Sequence, residues 1–194
     1  MALQTIELEI KNEAEEGIFA LSYVLEPAIE ENWVALSKNQ IELKVVDEER
    51  RIVVGFALVP DKEIYRKQEN DGKMVELNIK FSKQTVAKAG ELFMKNLNGN
   101  NATIEHERPV EGVSTIELWI VEDPKNDKSN IYGLNPKGGE LVVMQKVYNN
   151  ELWEDVKSGK VKGFSIEAMF NGFEKLKFSS DEIDVIEELK KIVG

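Results

Sequence analysis

The sequence predicts an α+β protein in which a mainly antiparallel β-barrel or β-sandwich is flanked by a few helices. Two observations favour this class. Seven or more segments have the alternating or continuous apolar pattern of strands, whereas only three have helical periodicity. Turn signals, instead of long crossover helices, separate the strand segments, which favours antiparallel pairing. Because the 194 residues contain no internal repeat and no low-complexity linker, we expect one domain over residues 1–194.

Several strands are predicted in the first half of the chain. Residues 4–10 alternate apolar and polar side chains, as a half-buried strand does. Residues 52–59 form a continuous apolar run, which is typical of a strand buried on both faces. Pro27 is expected to interrupt the apolar run before it, and Asp71-Gly72 predicts a turn ahead of the alternating segment 73–81.

Three segments are predicted helices. In the clearest one, Ser82 is the expected N-terminal cap, and Asn98-Gly99 is expected to end the helix. Residues 149–159 predict a short amphipathic helix, and residues 179–194 predict an acidic helix that either docks on the rest of the fold or forms a tail. The predicted buried face of the first helix consists of Val86, Ala89, Leu92, Phe93 and Leu97.

The remaining strands are predicted in the second half of the chain. Residues 102–109 indicate a short strand that Pro109 ends. The other predicted strands are 113–123, 141–147 and 160–170, with 171–178 as the hairpin partner of the last.

Composition excludes several classes of function. The formal net charge of −11 would repel a phosphate backbone, so nucleic acid is not an expected partner. The absence of cysteine excludes disulfides, thiol catalysis and thiolate metal sites, and it fits a cytoplasmic setting. We expect neither a secretory signal nor a membrane-spanning segment, because no apolar run approaches the required length of roughly 18 to 20 residues.

No cofactor or metal is expected from the motifs. No glycine-rich loop follows a strand and opens a long helix, as a phosphate-binding loop would. The stretch "DPKNDKSN", residues 123–130, resembles a calcium loop only loosely, because it lacks the mid-loop glycine and the terminal glutamate.

One serine and one histidine are candidates for acyl-transfer chemistry. Ser165 lies in the apolar segment "GKVKGFSIEAMF", with Gly163 two positions before it, and His106 is the only histidine of the chain. A serine hydroxyl needs a neighbouring base, and imidazole is the usual base near neutral pH. Ser165 is not surrounded by a G-x-S-x-G elbow, so the residues alone leave structural roles open for both side chains.

A family resemblance bears on this choice. The segment "ELWIVEDPKNDKSNIYGLNPKGGELVVMQKVYNNELWEDVKSGKVKGFSIEAMF" resembles the XkdF-like phage serine proteases, a branch of the prohead or capsid-maturation proteases. The segments "ALSYVLEPAI" and "VGFALVPDKEIYR" and the pair His106-Glu107 also lie in the expected order. The resemblance runs from about residue 20 to 170. It implies the herpesvirus assemblin fold, a mainly antiparallel β-barrel flanked by helices.

The resemblance also implies roles for individual residues. Carried over by position, the strand serine of the family is Ser165 and its base is His106. The third member is expected to be a carboxylate, because this chain has no second histidine. Glu167 is the first candidate, since it lies two residues from Ser165 and faces the same side of the strand.

Other residues stay open for the supporting roles. Glu174 is the alternative carboxylate, on the predicted neighbouring strand. Glu105 and Glu107 are close to His106 in sequence, which makes contact with its ring difficult. Arg50 or Arg51 is a candidate for ordering an oxyanion-binding loop.

The function that the resemblance implies is a serine endopeptidase that cleaves scaffold and capsid proteins, and itself, during head maturation. It would act without a cofactor in the host cytoplasm, inside the immature phage head, and as a homodimer by analogy with the viral relatives. Residues 179–194 would then be a removable or scaffold-contacting tail. The alternatives are a non-enzymatic capsid-assembly or scaffold-binding protein that retains the fold, and a small-molecule hydrolase.

Overall fold

Three β-sheets and two α-helices make up the part of the chain that the computed structural model describes, which is residues 3–24, 44–47, 49–70 and 73–172. The strands are β1 (Thr5–Leu8), β2 (Gly17–Val24), β3 (Lys44–Asp47), β4 (Ile52–Leu58), β5 (Ile64–Asn70), β6 (Lys73–Phe81), β7 (Ala102–Ile104), β8 (Arg108–Pro109), β9 (Val113–Ile120), β10 (Leu141–Val147) and β11 (Gly163–Met169). The helices are α1 (Lys83–Lys95) and α2 (Asn150–Lys157), with short 3₁₀ turns at Asn98–Asn100 and Lys128–Tyr132.

The pairing within the three sheets is mostly antiparallel. The strand orders are β1-β6-β5, β3-β4-β10-β9 and β11-β2-β7-β8, and only the pairs β1/β6 and β2/β7 are parallel among the described strands. The α+β class and the dominance of antiparallel pairing are therefore confirmed. The described strands do not close into a barrel, because each sheet ends in two edge strands, so the barrel is not confirmed.

The prediction for β4 is confirmed, including the reason for its apolar run. Val53 and Ala57 belong to the main hydrophobic core, whereas Ile52 and Val54 belong to a second cluster with Val142. Alternate residues of one strand thus enter two different cores, which is why nearly every position of β4 is apolar.

Helix α1 follows the sequence prediction except at its last position. The Ser82 hydroxyl accepts a hydrogen bond from the Thr85 backbone N–H at 3.1 Å, which confirms the predicted cap. Leu97 was predicted to be buried, and this is wrong. The helix ends at Lys95, and Leu97 adopts a left-handed conformation with φ of 59°, so its side chain is 82% exposed.

Several predictions fall on residues outside the described ranges. They concern Pro27, the turn at Asp71-Gly72, Glu174 and the helix at 179–194. No helix in the described part of the chain is long and apolar enough to span a membrane.

The sheet that contains β11 has one apolar face and one polar face. On the apolar face, Tyr23 and Phe164 are buried in the main core, with their rings edge to face and 5.3 Å apart. The Tyr23 hydroxyl donates a hydrogen bond of 2.7 Å to Gln145 on β10, which ties this sheet to the neighbouring one. Since side chains alternate along a strand, Ser22 and Ser165 lie on the opposite face.

Candidate active site

Three hydroxyl residues lie side by side across three neighbouring strands. Ser165 on β11 is the register partner of Ser22 on β2, and Ser22 is also the register partner of Thr103 on β7. Register partners on adjacent strands present their side chains on the same face of a sheet. The three hydroxyls therefore form a row on the polar face, which we call the hydroxyl row.

Glu167 lies beside this row, on the same strand as Ser165. The two residues are separated by one position within an unbroken stretch of the β11/β2 register, so they share a face. Glu167 is 5% exposed, and its Oε1 atom accepts a hydrogen bond of 2.8 Å from the Thr103 hydroxyl. The same oxygen lies 2.8 Å from His106 Nδ1.

His106 lies in the turn between β7 and β8, and not within a strand as the sequence had predicted. Glu105 and His106 have positive φ values of 53° and 60°, so the backbone leaves the extended conformation directly after Ile104. The turn is held by the Glu105 N–H, which donates to the Tyr23 carbonyl, and by the His106 N–H, which donates to the Ser22 hydroxyl at 3.0 Å.

The contact between His106 and Glu167 determines which nitrogen of the imidazole carries the proton. An ionised carboxylate only accepts hydrogen bonds, so the bond requires a proton on Nδ1. When Nδ1 carries the proton of a neutral ring, Nε2 carries the lone pair and is a base. The side chains of His106 and Glu167 are 16% and 6% exposed, and this limited access to water strengthens their interaction.

Ser165 is half-buried on the same face as Glu167. Among the described residues, no hydrogen bond joins its hydroxyl to the His106 ring, whereas His106 and Glu167 are in direct contact. Serine and base often approach closely only when substrate is bound. The structure thus brings two of the three predicted residues into contact and places the third on the same face.

The other acidic and basic candidates have different surroundings. Glu107 is exposed, and the ring of His106 contacts Glu167 instead. Arg51 donates a hydrogen bond of 2.6 Å to the Asn150 side chain, so it braces the start of α2 and not the hydroxyl row.

In the loop that loosely resembles a calcium site, the carboxylates accept hydrogen bonds from other residues of the same loop. Asp123 accepts hydrogen bonds from the Asn126 side chain and the Lys125 backbone N–H, and these bonds hold the pKa of Asp123 below its usual value. Asp127 accepts from the Ser129 N–H at 2.8 Å. The described residues contain no cluster of three or more acidic or histidine side chains that could hold a metal ion.

Sequence reasoning missed Ser22 and Thr103. Ser22 is a single polar residue within the buried run of β2, and that was the one local signal available. Thr103 gave no comparable signal, because its position depends on the parallel pairing of β2 with β7.

The chain matches a known protein family. Residues 40–174, more than two thirds of the chain, match the family described as "Putative phage serine protease XkdF". This range includes Ser165, His106, Glu167 and Thr103, whereas Ser22 precedes it. No curated protein and no solved structure matches the chain.

Proposed function

This chain belongs to the XkdF family of phage serine proteases, and we propose that it is a serine endopeptidase with Ser165 as nucleophile, His106 as general base and Glu167 as the carboxylate that orients the base. The observation that carries this proposal is the 2.8 Å contact between His106 Nδ1 and Glu167 Oε1, with Glu167 two residues from Ser165 on the same face of β11. A nucleophile, a base and an orienting carboxylate are the parts that this chemistry requires.

The proposed reaction has two halves. In the first, His106 Nε2 takes the proton of the Ser165 hydroxyl as Oγ attacks the scissile carbonyl carbon, and the proton then passes to the leaving amine as the C–N bond breaks. In the second, a water molecule gives a proton to Nε2 and attacks the ester, which releases the new carboxyl end and restores the hydroxyl of Ser165. Only protein groups and water take part.

Glu167 supports both halves in the same way. A buried carboxylate 2.8 Å from Nδ1 stabilises the imidazolium that forms each time the base accepts a proton. It also favours the tautomer in which Nε2 carries the lone pair that accepts that proton. Ser165 lies on a strand that is paired along its length with β2, which is a stiff mount for a nucleophile.

We further propose that the substrates are scaffold and capsid proteins, cleaved inside the immature phage head in the host cytoplasm. The support is the family match, which names a phage protease. We also propose that the protein forms a homodimer and that it cleaves itself within residues 179–194. Light scattering tests the first, and mass spectrometry of the incubated protein tests the second, because self-cleavage would shorten the chain.

Maturation of phage heads provides the functional test. Phage encoding Ser165→Ala is expected to accumulate heads with uncleaved scaffold and capsid proteins, visible by gel electrophoresis of purified particles. Ser158→Ala is the matched control, since Ser158 is an exposed serine in the same part of the chain. Normal processing in the Ser165→Ala phage would contradict the proposal and favour a non-enzymatic assembly protein. Cleavage of simple esters with no cleavage of protein would favour a small-molecule hydrolase.

A further inference from the structure

We propose that two buried hydroxyls of the hydroxyl row, those of Ser22 and Thr103, are positioning residues for His106. Thr103 fixes the carboxylate that orients the ring, and Ser22 fixes the turn that carries the ring. Among the described residues, neither hydroxyl is hydrogen-bonded to the Ser165 hydroxyl or to the His106 ring. This inference rests on the proposed function of the site, and its test separates the two.

Thr103 controls the orientation of the Glu167 carboxylate. Thr103 is fully buried, and its hydroxyl donates to Glu167 Oε1 at 2.8 Å. The same oxygen contacts His106 Nδ1 at 2.8 Å, so two partners fix one atom. A threonine side chain is stiff about χ1 because it is branched at Cβ, which makes it a well-defined anchor. Without this anchor the carboxylate is free to rotate away from the ring.

Ser22 controls the backbone of the turn. Its hydroxyl is fully buried and accepts the His106 N–H at 3.0 Å. Glu105 and His106 both have left-handed φ values, which residues other than glycine adopt only when the surrounding structure holds them. The hydrogen bond to Ser22 acts directly on the second of these residues. Its loss would allow the turn to relax and the ring to move.

The arrangement of the row distinguishes these hydroxyls from ordinary buried polar groups. Ser22 is the register partner of both Ser165 and Thr103, so it lies between the proposed nucleophile and the anchor of the carboxylate. Apolar side chains fill the opposite face of the same strands. A buried hydroxyl costs free energy unless it is hydrogen-bonded, so the partners of these two hydroxyls are informative. Both hydroxyls bond to the His106–Glu167 pair itself.

The single histidine makes a direct test possible. In protein labelled with ¹⁵N-histidine, one imidazole is observed by NMR, and its two nitrogen shifts report which one carries the proton. We expect the Nδ1–H form in the wild type, a smaller share of it in Thr103→Val, and recovery in Thr103→Ser. Thr85→Val is the matched control, because Thr85 is a buried threonine in α1, away from the hydroxyl row.

Kinetics of labelling by a fluorophosphonate provide the second readout. We expect the maximal labelling rate to fall by roughly tenfold to a hundredfold in Thr103→Val and in Ser22→Ala, the scale that a small misplacement of a reacting group produces. The probe concentration at half-maximal rate should not change. Thr103→Ala replaces Thr103→Val if the latter does not fold, as judged by circular dichroism.

The two readouts separate the possible failures. If folded Thr103 and Ser22 variants keep both the wild-type tautomer and the wild-type labelling rate, the two hydroxyls are structural only and the inference is wrong. If the wild type carries the Nδ1–H form but is not labelled even with assembled heads, the proposed function fails. The tautomer shift in Thr103→Val would still decide the positioning role of Thr103 in that case.

Discussion

The His106 ring and the Glu167 carboxylate meet at 2.8 Å although they lie 61 residues apart in sequence. His106 lies in the turn that follows β7, and β7 is not a neighbour of β11, the strand of Glu167, in the sheet. The intervening strand β2 presents only small residues on this face, Ala20 opposite Glu167 and Ser22 opposite Thr103, which leaves room for the glutamate to reach across β2 to Thr103. The contact therefore depends on the order of the strands as well as on the side chains.

Replacement of the orienting carboxylate should abolish most of the activity and leave the fold intact. Glu167→Gln keeps the shape of the side chain, but its amide can present a donor to Nδ1 and so favours the wrong tautomer. By comparison with a serine protease altered in the same way, the labelling rate of Ser165 should fall by about 10⁴-fold. Glu107→Gln, a change of an exposed glutamate, is the control and should label at the wild-type rate. Equal rates in the two variants would exclude this role for Glu167.

The buried phenol of Tyr23 should make stability sensitive to alkaline pH. Burial raises the pKa of Tyr23 far above its usual value, so the folded state keeps a proton that the unfolded chain loses near pH 10. The stabilisation is fully present below about pH 10 and falls by about 1.4 kcal/mol per pH unit as the pH rises above that value. This loss of stability is measured by urea unfolding of the wild type and Tyr23→Phe between pH 9 and 11.5. The two proteins share all other titrating groups, so the difference between them reports on Tyr23. Parallel curves for the two variants would contradict the prediction.

The end of helix α1 offers a stabilising substitution. Leu97 adopts a φ of 59° and is 82% exposed, so its side chain adds backbone strain and little packing. Glycine is the preferred residue just beyond a helix, and Leu97→Gly should increase the free energy of unfolding by about 0.5–1 kcal/mol. Met94→Gly, inside the same helix and 48% exposed, should instead lower it by about 1 kcal/mol. If urea titrations showed that both substitutions lower the free energy of unfolding, the conformation of Leu97 would not be a source of strain.

Gly139, just before β10, should not tolerate a side chain. Gly139 has a φ of +93°, and a Cβ atom there would lie 2.8 Å from Lys83 Cγ. Gly139→Ala should therefore lower the free energy of unfolding by about 1–3 kcal/mol. Gly99→Ala is the control, because its Cβ would meet its nearest neighbour, Thr115 Cβ, at an ordinary 3.5 Å. A loss below about 0.5 kcal/mol for Gly139→Ala, the level of ordinary surface changes, would contradict this reading of the loop.

Local patterns were sufficient to predict the strand that carries Ser165 and Glu167. The period of two along β11 predicted that Glu167 faces the same side as Ser165, and the register agrees. The continuous apolar run of β4 and the serine cap of α1 were also visible, because each depends on residues close together in sequence.

Features that depend on distant residues were not predictable in this way. The turn at Glu105 and His106 contains no glycine, so its left-handed conformation has no signal in the residue types. The parallel pairing of β2 with β7, which brings Thr103 and Ser22 together, joins segments that are about 80 residues apart. The separation into three sheets likewise follows from pairings that no single segment specifies.

The most direct test of the central claim is covalent labelling of Ser165 by a fluorophosphonate, located by peptide mass spectrometry in the presence of assembled heads. We expect modification of Ser165 in the wild type and its loss in folded His106→Ala, with Ser158→Ala labelled like the wild type. Modification that persists in His106→Ala, or wild-type protein that remains unlabelled at Ser165, would contradict the claim that His106 activates Ser165.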